Sequence, residues 1–348
     1  MNAPTRPTRS AGTAARRTAP AGIAALALLL GACAGGTDGE TGVAPTDAAG
    51  TASSTAASAT AGTTGGAAAT DAAVAGEFPV TVTSGQAPDT SELTIQEQPA
   101  SIVSISPTGT EMLFAVGAGE QVVAVDAFSY FPEEAPVTDL SGFEPNLEAI
   151  LGYGPDLVIA SGDPGDLVSG LDAAGVPTLL LPSALDLEES YDQIERVGLA
   201  TGHPAEAQAL TEQMATDIEA AVASVPAGEP LTYYHELGED FFSAGGDTFI
   251  GEVYGLFGLQ NIADATGEAY PQLSQEFIVE ADPDVIFVTS GDFSSTPEEI
   301  TARPGWEDIT AVADGDVVVV DADESSRWGP RVVDFVEGVA EALPEVRG

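Results

Sequence analysis

Two of the chain's few arginines stand four residues apart in the stretch Asp323-Glu324-Ser325-Ser326-Arg327-Trp328-Gly329-Pro330-Arg331. A guanidinium can hydrogen-bond carboxylates, carboxamides or phosphate through a planar fork. The Trp328 ring beside it offers a stacking wall, and Ser326 a hydroxyl. Three other loops carry comparable groups. Ser106 to Thr110 (Ser-Pro-Thr-Gly-Thr) opens a helix, so Ser106 and Thr108 bring hydroxyls next to free backbone amides. Asp126 to Pro132 holds Phe128, Tyr130 and Phe131, and Gly245 to Gly251 holds Asp247. The plainer reading of Phe128 is core packing, and that of Arg331 is pairing with acids of its own helix. His203 and His235 are the only histidines. His203 follows Gly202 and reads as solvated, whereas His235, in Tyr-Tyr-His-Glu-Leu, can reach a cleft. A metal centre needs several convergent ligands, and His235 with Glu236 falls short of one. Neither a Gly-x-Ser-x-Gly elbow nor a His-Glu-x-x-His helix is written in the chain. Stacking and hydrogen bonding fit this set better than covalent chemistry.

A second feature is a repeat. Asn146 to Ala160 (NLEAILGYGPDLVIA) and Ser274 to Val288 (SQEFIVEADPDVIFV) place a Glu, an Ile two residues on, and Pro-Asp with an apolar run in the same order. Asn146 and Ser274 are good N-caps. Glu148 and Glu276, two residues later, favour the positive helix end by roughly 0.3–1 kcal/mol.

The composition limits the partners. The chain has 55 acidic residues, no lysine and nine arginines, for a formal charge of −46. Four of the arginines precede residue 20. Such an anion is a poor ligand for nucleic acid or for anionic lipid; its charge keeps it soluble and self-repelling. The first 32 residues join those arginines to a short apolar run, Ile23 to Leu30, too brief to span a bilayer and arranged like an export signal. Leu30-Gly31-Ala32-Cys33 resembles the bacterial lipobox, with Cys33, the only cysteine, as the lipid-bearing residue. Residues 33–76, rich in Ala, Gly, Thr and Ser, cannot bury enough apolar area to fold and read as a disordered tether.

These loops and helices need a scaffold. Phe78 to Val82 and Leu93 to Ile95 suit a hairpin. Strand-like runs at Ile102–Ile105, Val122–Val125, Leu157–Ala160 and Thr178–Leu181 alternate with helical patterns, which predicts parallel βαβ pairing. Asp186 to Val225 is helical, with a break expected at Gly202 and Pro204. After Leu231 the alternation returns, with strands at LTYYHEL, in the second repeat and at Val317–Val320, and a closing helix after Gly329. The reading is α/β: lobes at 77–185 and 226–348, joined by helical residues 186–225.

Four passages then resemble a known family: SIVSISPTGTEMLFAVGAGEQVVAVDAFSYFP, PNLEAILGYGPDLVIASG, YPQLSQEFIVEADPDVIFVTSG and SSRWGPRVVD. They look like the substrate-binding proteins of ABC importers for metal chelates, the cobalamin and ferric-siderophore binders. The resemblance runs over nearly all of Ile102 to Leu343. It implies two Rossmann-like lobes joined by a long backbone helix, the class III periplasmic-binding-protein arrangement. It implies a cleft built from Ser106, Thr108, Phe128, Tyr130, His235, Asp247, Ser326, Arg327 and Trp328. In the cobalamin binders a tyrosine occupies the aromatic loop, where Phe128 falls here with Tyr130 two residues on. It implies that Glu148 and Glu276 meet arginines of a permease dimer coupled to ATPase subunits. The protein is then an exported monomer, lipid-anchored on the outer face of the cytoplasmic membrane, with no cofactor beyond its transported chelate. The alternatives are an exported α/β hydrolase, or a haem- or free-metal-binding protein.

Overall fold

The computed structural model describes residues 77–291 and 294–346. The signal segment 1–32, Cys33 and the tether 33–76 lie outside the described residues. An antiparallel hairpin opens the fold, β1 (Val80–Gln86) with β2 (Asp89–Ile95), longer than the two segments read from the sequence. Then come β3 (Ile102–Ile105), α1 (Pro107–Ala115), β4 (Val122–Asp126), β5 (Val137–Leu140), α2 (Leu147–Leu151), β6 (Leu157–Ala160), α3 (Leu167–Ala173) and β7 (Thr178–Leu180). These strands form one parallel sheet in the order β5-β4-β3-β6-β7. Strands β3 and β6 are buried at every residue, as expected of central parallel strands covered on both faces.

Two helices follow, α4 (Leu187–Thr201) and α5 (Pro204–Ser224). The chain reverses at Gly202, whose φ of 85° is a left-handed cap, and Pro204 starts the next helix. The connecting segment is thus a helical hairpin, with α5 its longer arm at roughly 30 Å. α4 packs on α1 and β1, while α5 lies along the last helix of the chain. A Cβ added to Gly198 would stand 2.3 Å from Cβ of Ala207, so glycine is what lets the two helices approach.

The second half runs β8 (Thr232–Glu236), α6 (Phe249–Gly255), β9 (Gln260–Asn261), α7 (Gln275–Ala281), β10 (Val285–Thr289), α8 (Pro297–Thr301), α9 (Thr310–Asp314), β11 (Val317–Val320), α10 (Ala322–Ser326) and α11 (Val332–Val346). Its four strands are parallel, in the order β11-β10-β8-β9. Among the described residues, no strand hydrogen-bonds from one sheet to the other. The largest apolar cluster nevertheless runs through both halves, from Met112 and Leu157 through Ile194 and Met214 to Phe287 and Phe335. Two smaller clusters fill the other face of each sheet. Among the described residues, no helix is long and apolar enough to cross a membrane.

Candidate functional site

In the first sheet the path leaves β3 toward β4 on one side and returns with β6 on the other. Loops beyond the carboxyl ends of two such strands diverge and leave a crevice. The segments after β3 (Ser106, Pro107, Thr108) and after β6 (Ser161, Gly162, Pro164) line one cavity of about 590 Å³. Ser106 caps α1 by accepting from the Gly109 amide at 3.1 Å. Gly109 itself lies so close to β6 that a Cβ would meet Ile159 at 2.6 Å.

The aromatic wall comes from the loops after β4 and β5. Phe128 and Phe143, 52% and 78% exposed, meet edge to face with centroids 5.9 Å apart. Asp126, at the end of β4, accepts from the Ser129 hydroxyl at 2.7 Å and the Phe128 amide at 3.2 Å. Burial raises its pKa, and these bonds and the Arg327 charge offset only part of that. Gly142 passes so near the β3 terminus that a Cβ would stand 2.3 Å from the Ile105 carbonyl oxygen.

The opposite wall is the turn after α10. Asp321 caps that helix by accepting from the amides of Asp323 and Glu324. Trp328 lines the cavity, and its indole N–H donates to Gln193 at 2.8 Å while its carbonyl accepts from the Ser190 hydroxyl at 2.6 Å. Both bonds tie the turn to α4. Arg327 is only 6% exposed. It donates to Glu111 at 2.6 Å, to Asp323 at 2.8 Å and to the Phe128 carbonyl at 3.3 Å. Arg331 donates to both oxygens of the same Glu111 carboxylate, at 2.7 and 3.0 Å, and lies over the Phe131 ring at 4.3 Å. Its main partner is therefore on α1, not on its own helix. Glu111 itself falls in the second turn of α1, which begins at Pro107.

Six of the sequence candidates, Ser106, Thr108, Phe128, Ser326, Arg327 and Trp328, line this one cavity. Tyr130 stands beside it and donates to Asp323 at 2.5 Å. His235 does not reach it. The residue is fully buried on β8, on the strand face that also carries Tyr233, with Nδ1 2.8 Å from the Tyr254 hydroxyl. Burial pushes its pKa down to about 3, so the ring is neutral. Asp247 is exposed just ahead of α6 and does not line the cavity. Glu236, named beside His235, is held by Arg303 in a two-pronged pair at 2.6 and 2.7 Å. Among the described residues, no group of three His, Cys, Asp or Glu could hold a metal ion. Sequence reasoning passed over Asp126, Phe143 and Asp323. Asp126 ends β4, a strand-loop junction that could have marked it, whereas Phe143 follows β5, a strand with a single buried residue and little apolar signal.

Glu148 and Glu276 are both exposed in the first turns of α2 and α7. Asn146 and Ser274 cap those helices by accepting from the amides three residues on, at 3.1 and 3.2 Å. The strand after each helix, β6 or β10, pairs in parallel with the first strand of its own sheet, β3 or β8. The two copies of the repeat therefore occupy equivalent steps of two sheets.

Comparison with known proteins agrees with this architecture. An uncharacterized ABC transporter substrate-binding lipoprotein of Bacillus subtilis is 32% identical over 277 residues, covering 76% of this chain and 86% of that protein. A cobalamin-binding protein of Halobacterium salinarum is 33% identical over 288 residues, covering 78% of this chain and 76% of that one. The solved apo structure of a periplasmic heme-binding protein from Roseiflexus sp. RS-1 superposes with a TM-score of 0.63 at 25% identity, over 71% of this chain and 99% of that one. The family model for periplasmic binding proteins matches residues 102–324, and the chain belongs to that family.

Proposed function

We propose that this protein captures a metal chelate, a corrinoid or a ferric siderophore, between lobes 77–185 and 226–348 and delivers it to an ABC permease. Residues 186–225 join the lobes. The observation that carries the reading is the cavity of about 590 Å³ walled by both sheets' loops, with exposed Phe128 and Phe143 on one side and Trp328 on the other. Rings placed in this way stack on a flat or compact ligand. The shared apolar core through α4, α5 and α11 favours small lobe movements over wide hinge closure. Glu148 and Glu276 serve as the docking pair for a permease dimer with its ATPase subunits. A lipid on Cys33 holds the protein at the outer face of the cytoplasmic membrane. The named relatives support this reading over an exported hydrolase.

The test is a titration of the full chain with cyanocobalamin, a ferrioxamine-type hydroxamate and haem, followed by tryptophan emission. Of the two tryptophans, Trp306 is fully buried and Trp328 lines the cavity. The expected result is saturable quenching by at least one chelate, weakened in Trp328→Phe. No quenching by any of the three, together with hydrolysis of ester substrates, would overturn the proposal.

A further inference from the structure

The charges around the cavity are unevenly used. Its lining holds two carboxylates, Asp126 and Asp323, and one cation, Arg327. The sequence has no lysine, and the four described arginines are Arg196, Arg303, Arg327 and Arg331. Arg196 pairs with Asp192 and Arg303 with Glu236. The remaining two, of which Arg327 lines the cavity, both turn onto Glu111, a carboxylate 2% exposed on α1. Four bonds close the cluster on the Arg327 and Asp323 side: Arg327 to Glu111, Asp323 and the Phe128 carbonyl, and Tyr130 to Asp323.

We propose that Glu111 sets the charge selectivity of the cleft, neutralising Arg327 and Arg331 by pairing with both, so that uncharged or cationic chelates are accepted and anionic ones are refused. The inference rests on the cargo reading above and narrows it. Three features support it. A buried carboxylate between two guanidiniums is strongly held, because removing either kind of partner leaves an uncompensated charge in a poorly solvated place. Burial alone would lower the pKa of Arg331; the bonds and charges of Glu111 and the neighbouring acids outweigh it and raise it. With Arg327 neutralised, the charges left unbalanced in the lining are acidic, beside the rings of Phe128, Phe143 and Trp328. Asp126 and Asp323 can accept from amide or ammonium donors but repel carboxylates and catecholates. Glu111 does not line the cavity, so it acts as a positioning residue through Arg327.

The experiment compares one ligand in two charge states. Affinities are measured for cyanocobalamin and for its monocarboxylate, in which one peripheral carboxamide is hydrolysed. Haem and its propionate dimethyl ester are run alongside. The wild-type chain is expected to favour the less anionic member of each pair it binds. In Glu111→Gln that preference should fall about 10-fold, the scale of one unit charge roughly 10 Å from a ligand in a partly screened site. A variant that only loosened the fold would weaken both members equally, leaving the ratio unchanged, and that result overturns the proposal. If Glu111→Gln does not fold, Asp323→Asn, at a partly exposed cavity position, must lower the same ratio; an unchanged ratio there overturns it too. Glu92→Gln, exposed on the β1–β2 hairpin, is the control. If haem and its ester bind but no corrinoid does, the corrinoid cargo is lost while the haem ratio still decides the role of Glu111. If nothing binds, both fall together.

Discussion

The Tyr130 hydroxyl donates to Asp323 across 193 residues of sequence, at 2.5 Å, and so joins the loop after β4 to α10. That bond to Asp323 raises the Tyr130 pKa above its ordinary 10.0, with burial and the Asp323 charge adding and Arg327 opposing. The protonated phenol is the form the fold holds. Its contribution is complete below pH 10 and fades as the pH rises through the higher folded value. In Asp323→Asn the Tyr130 titration should fall back toward 10, as read by NMR of labelled tyrosine. Because the side chain is half exposed, Tyr130→Phe should cost at most about 1 kcal/mol of stability. A titration that stays put in Asp323→Asn would remove the bond.

The close approach of α4 to α5 makes a different kind of demand. Ala at position 198 would bring its Cβ to 2.3 Å from Ala207 Cβ and 2.8 Å from the His203 carbonyl oxygen. Alanine is worth about 1 kcal/mol over glycine inside a helix, but overpacking of this kind costs about 1–3 kcal/mol. Gly198→Ala should therefore lower the urea midpoint. Adding Ala207→Gly should restore only part of the loss, since the His203 carbonyl remains. Full stability in the single variant would show that the helices can part without penalty.

The buried imidazole of His235 gives a pH dependence. Its folded pKa of about 3 lies below the ordinary 6.5, and burial is the cause. Unfolding releases the ring to take up a proton. Its contribution is thus full above pH 6.5 and is lost as the pH falls from there toward 3, by up to about 1.4 kcal/mol per pH unit. His235→Phe gives up the Tyr254 bond at every pH, but its stability should fall less steeply than that of the wild type between pH 6.5 and 4.5. Parallel curves from urea unfolding at several pH values would mean that His235 titrates normally.

Much of this architecture is legible without coordinates, for reasons that also explain the failures. The runs at Ile102, Leu157 and Val285 are strands because both their faces are covered, and an unbroken apolar run is what such burial looks like. Strand β5 escaped notice because only Leu140 of its four residues is buried. The β8 register could have excluded His235: residues two apart on a strand share a face, and Tyr233 and His235 both point at Tyr254. Glu111 was beyond reach. Its partners lie 216 and 220 residues away, and no spacing rule links charges brought together only by the packing of two sheets. The cavity wall at Phe128, Arg327 and Trp328 was legible because arginines are scarce in this chain and two of them flank a tryptophan in one loop, while Phe128, Tyr130 and Phe131 share another.

The repeat carries the last prediction. Glu148 and Glu276 are exposed, sit at the same turn of equivalent helices, and precede strands that hold the same place in their sheets. Helix-end electrostatics alone would be worth under about 1 kcal/mol for each. That is too little to account for placing the same acid on both halves, whereas a partner with two-fold symmetry presents the same cation twice. Glu148→Arg with Glu276→Arg should abolish chelate uptake by cells and leave the affinity of the purified protein for its chelate unchanged, because neither residue lines the cavity. Each single variant should give an intermediate loss, since one contact of the pair survives. Normal uptake by the double variant, with the protein present at wild-type levels, would leave the two glutamates as helix caps' neighbours and nothing more.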